Sequence, residues 1–210
     1  MDDYLIKRMQ VLLDWLNKHT PITQWSEHRF KRKFAQRSPV DIINDRDMSF
    51  LGACFDYTQI ASKYITDYID EQHPFGIQLL RNHNQHNADY GIHVFIPFMY
   101  KRKGHVLDFS DRTNVYLYEG QYENTQPHAE SLDVIIVPSP NPEKNLFENY
   151  PDLVERLPFT FQDYIQHVND ANNDPATHKR YQREIGDQKL LTLKPYHPLR
   201  PPKSINIPVK

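Results

Sequence analysis

Cysteine occurs once in this 210-residue chain, as Cys54, so an internal disulfide and a metal centre built on several thiolates are both excluded. Glycine is nearly as scarce, with six residues, under half its usual share of about 7%. Loops that cradle nucleotide phosphates need glycine for positive φ and close backbone approach. Accordingly, no Walker loop, dinucleotide fingerprint, EF-hand or His-Glu-x-x-His motif is found. Neither an N-terminal apolar segment nor a run of about 18 apolar residues occurs, so the expectation is a cytoplasmic protein with no membrane association.

Aromatics and proline are plentiful instead. Thirteen Tyr and eleven Phe predict a core built on rings, and sixteen Pro predict stiff connections. The composition, 39% hydrophobic and 25% charged, is that of a folded globular chain. Charge is uneven along it: residues 51–158 hold eight Lys/Arg against fifteen Asp/Glu, between mildly basic ends. That argues against a broad nucleic-acid surface on the central region.

The densest β signal spans residues 89–121 and reads as a three-stranded antiparallel meander. Tyr90, Ile92, Val94, Ile96, Phe98 and Tyr100 alternate and so share one face. The other face of that strand, His93, Phe95, Pro97 and Met99, is also fairly apolar, which predicts cover on both sides. Pro97 cannot donate to a ladder and points to an edge or bulge. Lys101 to Gly104 is a charged hairpin loop. Further strands are expected at 105–110, 115–121, 75–80 and 132–137.

Helices are expected at 3–18, where Leu5, Ile6, Met9, Leu12, Leu13 and Leu16 form one stripe, and at 24–37, ended by Ser38-Pro39. Another runs over 58–71 with Thr58 as N-cap; others lie at about 144–156, 160–171 and 175–187. The predicted fold class is α+β: an antiparallel sheet of four or five strands within about 75–137, packed by N- and C-terminal helices. One globular domain, 1–188, carries an extended Pro-rich C-terminal arm, 189–210. In that arm Ile205, Ile207 and Val209 alternate and suit an edge strand or a partner surface.

Three constellations bear on chemistry. Val106, Asp108 and Ser110 share a face with Val115, Leu117, Glu119 and Gln121 if the turn centres on Thr113-Asn114 or on Asp111-Arg112. The first register sets Asp108 directly across from Glu119, close enough for one divalent cation. The second slides them apart along the ladder. The spacing from Asp108 to Glu119-Gly120-Gln121 resembles the metal-site pattern of restriction-endonuclease-like nucleases. The resemblance implies a catalytic set of Asp108 and Glu119 as metal ligands and Gln121 positioning the water. The chain departs from the pattern where those nucleases have Lys, because Gln121 carries no charge.

In the second constellation, Arg29, Lys31, Arg32, Lys33 and Arg37 interleave with Phe30 and Phe34. Cations take phosphates and rings stack on bases, so this stretch is the candidate nucleic-acid contact, with a solvated helix face as the plainer reading. The third is His83-x-x-His86 with Asp89 and His93, which offers imidazole and carboxylate at no recognised ligand spacing. Cys54 sits in an apolar run with no histidine near it in sequence and reads as a buried structural thiol. Ser139, between prolines, lacks the glycines of a nucleophile elbow. Without a catalytic motif, the leading expectation is a non-catalytic intracellular protein that binds a protein partner, a small ligand or a second copy, using the C-terminal arm. A metal-dependent nuclease or phosphodiesterase and a nucleic-acid binder are the alternatives; a divalent cofactor is implied in the nuclease case alone.

Overall fold

The computed structural model describes residues 1–82, 90–109, 113–120, 122, 129–157, 159–186 and 190–195. Its centre is a six-stranded sheet, antiparallel except at one edge, with helices from both ends of the chain packed against it. The class is therefore α+β.

Helix α1 covers Asp3–His19, with Asp2 as N-cap accepting from the Tyr4 N–H. Its stripe of Leu5, Met9, Leu12, Leu13 and Leu16 is buried. A short strand β1 (Ile22–Thr23) pairs in parallel with β2 (Met48–Ser49). Between them lie α2 (Glu27–Lys33), capped by Ser26, and α3 (Pro39–Asp45). The helix expected over 24–37 is thus shorter, because Ala35 takes a left-handed conformation (φ 55) just beyond α2. Ser38-Pro39 does more than end a segment: Ser38 and Asp41 form a capping box, with Pro39 in the first helical turn, so the pair opens α3.

Helix α4 covers Ala53–Tyr68 and begins five residues before the predicted Thr58. Thr58 lies inside it, and its hydroxyl donates to the Val94 carbonyl (3.3 Å) rather than capping a helix end. The sheet follows as β3 (Phe75–Asn82), β4 (Tyr90–Tyr100), β5 (Lys103–Asp108), β6 (Asn114–Glu119) and β7 (Ala129–Val137). Where one helix was expected at 144–156 there are two, α5 (Leu146–Asn149) and α6 (Pro151–Arg156), divided at Tyr150-Pro151. Helices α7 (Phe161–Asn173) and α8 (Pro175–Glu184) come next, and β8 (Thr192–Pro195) is the last described element. Residues 196–210, with Ile205, Ile207 and Val209, lie outside the described residues.

Strand order is β7-β3-β4-β5-β6-β8; every neighbouring pair is antiparallel except β6 and β8. The predicted meander is β4, β5 and β6. The β4–β5 hairpin turns on two residues, Lys101 and Arg102, at φ 50 and 64, the positive-φ geometry whose twist suits a two-residue hairpin. Pro97 is accommodated because the ladder with β3 ends at Gly76 and Phe95, leaving that side of β4 without a partner strand. Two residues on, and so pointing the same way, the Met99 N–H is taken by the Asp70 carboxylate (3.3 Å).

Side chains alternate across each strand, so the registers sort the sheet into two faces. One carries Ile77, Ile92, Val94, Ile96, Phe98, Leu107, Val115 and Leu117, buried under the helices. The other carries Gln78, His93, Phe95, Val106, Asp108 and Tyr118. There the Tyr122 ring stacks on Phe95 with centroids 3.8 Å apart. Among the described residues, no helix is long and apolar enough to cross a membrane.

Candidate active site

Cys54 stands in the first turn of α4, half-buried at the end where helical N–H groups have no partner within the helix. The N-cap is Gly52, which has no side chain to cap those groups. Glycine is required there: φ is +74, and a Cβ would run into the Phe34 ring. The sulfur therefore stands at the positive end of a 16-residue helix, where the field favours negative charge.

The same turn is fixed from behind. Asp56, buried, accepts from Arg37 Nη2, while Arg37 Nη1 donates to Asp45 Oδ2 and to the Asp47 carbonyl, both at 3.0 Å. The guanidinium lies 4.6 Å from the centre of the Trp25 ring. Burial pushes the Asp56 carboxyl up to about 6 in spite of Arg37.

Opposite the sulfur is His93 on β4. Thr58, one turn after Cys54 and on the same side of α4, touches the backbone of β4 at Val94, so the first turn of the helix meets the strand beside His93. Cys54 stands close enough to the imidazole to act on its charge, and Nε2 lies 2.6 Å from Asp108 Oδ1 on the neighbouring strand β5. The register explains the second contact: Asp108 pairs with Phe95, which puts His93 on the same face one diagonal step away. His93 and Asp108 are almost fully buried. Burial works against the imidazolium, but the Asp108 charge and hydrogen bond outweigh it, with Cys54 adding to them, and the imidazole is raised to about 10.

Helix α7 closes the site on another side. The Tyr164 phenol lies near the Ile92 backbone N–H and in the field of Cys54; burial, then Cys54, pushes its ionisation up. Its ring stacks on Phe159 with centroids 5.2 Å apart.

The sequence-derived site fares differently. The observed register pairs Asp108 with Tyr116 and His105 with Glu119, between the two that were weighed. A one-residue slip inverts the faces of a strand, so Asp108 and Glu119 point to opposite sides of the sheet and cannot share a cation. Glu119 is engaged instead by Lys103 at 3.0 Å. Gln121 lies outside the described residues, as do His83, His86 and Asp89. Among the described residues, no group of three or more His, Cys, Asp or Glu side chains is placed to hold a metal.

The basic stretch is largely neutralised. Arg29 pairs with Asp47 (2.7 Å), Lys31 with Glu27 and Lys33 with Asp45 (2.6 Å each), and Arg37 with Asp45 and Asp56. Arg32 is exposed. The rings between these cations, Phe30 and Phe34, are buried and so are not free to stack on bases.

Cys54, expected from the sequence as a buried structural thiol, is half-buried at the start of α4, and His93 is hydrogen-bonded to Asp108. Asp108 was singled out, but with the wrong partner. The available signal was Gly52 directly before an apolar stripe that can be traced back from Ile60 through Tyr57 and Ala53. Comparison of the chain with family models, with curated proteins and with solved structures finds no match.

Proposed function

We propose that this chain is a cysteine-nucleophile enzyme of acyl transfer, acting on an amide, ester or thioester carbonyl. The observation that carries the reading is the buried His93, hydrogen-bonded to Asp108 at 2.6 Å on the next strand and close enough to Cys54, at a helix N-terminus, to feel its charge. A nucleophile in contact with a base that a third group orients is the arrangement on which covalent acyl transfer depends.

The steps follow from the geometry. The reactive state is the ion pair in which the thiol proton of Cys54 rests on His93, with Asp108 stabilising the imidazolium through its hydrogen bond to Nε2. The Cys54 thiolate attacks the carbonyl carbon, and the oxygen gains the charge beside the positive N-terminal end of α4. When the tetrahedral adduct collapses, the bond to the leaving amine, alcohol or thiol breaks and His93 returns the proton to it. A thioester on Cys54 remains. Water or an amine then attacks that thioester, His93 again holding its proton, and the free thiol is regenerated.

Alkylation by iodoacetamide tests the reading cleanly, because Cys54 is the sole cysteine in the chain. At pH 6 the wild type is expected to react at least tenfold faster than free cysteine, since a cationic imidazole beside the sulfur favours the thiolate. His93→Ala should bring the rate down to that of free cysteine. A wild-type rate equal to free cysteine, unchanged in His93→Ala, would overturn the proposal.

A further inference from the structure

Helix α1 carries two stripes. Tyr4, Arg8, Val11 and Trp15 each directly precede one of the buried residues Leu5, Met9, Leu12 and Leu16, so they line a second face turned about 100° from the buried one. Tyr4, Val11 and Trp15 are exposed. Arg8 is half-buried, its guanidinium 5.3 Å from the centre of the Tyr4 ring and 5.4 Å from that of Tyr68, at the far end of α4 from Cys54. Its Nε donates to the Tyr4 hydroxyl at 2.9 Å, and the Trp15 ring lies 5.1 Å from that of His19. Exposed rings already held by their own chain lose little freedom when a partner covers them.

We propose that this face is where two copies of the chain associate, with their α1 helices packed antiparallel about a two-fold axis. Steps of four, three and four residues are those of a seam between two helices, and this seam is complementary to its own reverse. With the axis midway between Met9 and Gln10, Tyr4 faces the partner's Trp15 and Arg8 the partner's Val11, so every position of the stripe is used, as a two-fold interface requires. The charges obey the same symmetry. Asp3, Lys7, Asp14 and Lys18 are all exposed along one flank of the stripe. Antiparallel packing sets Lys7 beside the partner's Asp14 and Asp3 toward the partner's Lys18; parallel packing would set like charges together at each of these positions. Neither the face nor its test involves Cys54.

Sedimentation equilibrium of the full chain tests the pairing. A 17-residue helix is about 26 Å long and offers a small interface, so the wild type is expected to pass from monomer to dimer in the micromolar range. Trp15→Ala empties both ends of the seam and should weaken the dimer at least about 30-fold. Asp14→Lys and Lys7→Glu each bring like charges together twice across the axis, and each should weaken it about tenfold or more. Mixing those two variants restores an opposite charge at both places, so the mixture should associate as a heterodimer where neither variant does alone. That rescue also shows both variants to be folded. A wild type that stays monomeric throughout would overturn the proposal and leave the face to a different protein. A dimer indifferent to Trp15→Ala would place its contacts elsewhere on the chain and overturn it too. Failure of the mixture to associate would overturn the antiparallel pairing.

Discussion

Replacing Asp108 by Asn removes one charge from the buried pair and keeps a hydrogen-bonding group of the same shape. In the wild type the imidazole rises from 6.5 to about 10, which at about 1.4 kcal/mol per unit corresponds to roughly 5 kcal/mol of preference for the charged ring. A base raised in the folded state contributes stability that is fully present below the unfolded value, near 6.5. That contribution is lost as pH rises through about 10. In Asp108→Asn the burial that opposes the imidazolium remains and its main counterweight is gone, so His93 should titrate below 6.5. The variant should be less stable at pH 7 by about 3–5 kcal/mol, the usual cost of breaking a buried pair from one side. The gap should narrow toward pH 10.5, where the wild type has lost the pair as well. Ring-nitrogen NMR against pH reads the titration, and urea unfolding at pH 6, 7, 9 and 10.5 reads the stability. A wild-type His93 that titrates at or below 6.5, or a stability gap constant from pH 7 to 10.5, would refute the reasoning.

Gly52→Ala should destabilise the fold by about 2–4 kcal/mol, combining positive-φ strain with the overlap on Phe34; a change under 1 kcal/mol in urea unfolding would show that the loop before Cys54 relaxes freely. Arg37→Met leaves Asp56 buried without its cation and should cost about 3–5 kcal/mol at pH 8. Because burial already holds Asp56 up at about 6, it is largely protonated at pH 5 and the loss there should be smaller. Equal losses at pH 5 and pH 8 would contradict this.

The meander was legible because Tyr90 to Tyr100 alternates without interruption, and the stripe of α1 because five of its leucines and methionines recur at helical spacing. The register of β5 on β6 was not. Both faces of these strands are apolar enough that the pattern does not separate Val106 and Asp108 from Leu107 and Phe109, so parity rested on a turn whose length the sequence leaves open. The site was hidden for two reasons. Starting α4 at Thr58 placed Cys54 in a featureless apolar run instead of at a helix N-terminus. The approach of Cys54 to His93 brings together residues on separate elements and exists only once α4 docks on β4. Asp108 drew attention as an acid on a strand, but the group that gives it meaning is an imidazole one strand away and not a second carboxylate.

The junction between α1 and β8 bears on how the chain reaches its fold. Asn17 meets Leu191 as a backbone would, its Nδ2 donating to the carbonyl at 3.1 Å and its Oδ1 accepting from the N–H at 2.9 Å. From there β8 runs alongside β6, beginning where the Thr192 N–H reaches the Thr113 carbonyl. A parallel neighbour cannot arrive by a hairpin, and this one arrives after β7 and four helices have been made. On the ribosome, the outer edge of β6 therefore waits open while everything between it and β8 is synthesised. An open edge is a template for a strand from another nascent chain. The segment that seals it also carries the tie to Asn17, so sheet closure and that bond to α1 come together, late.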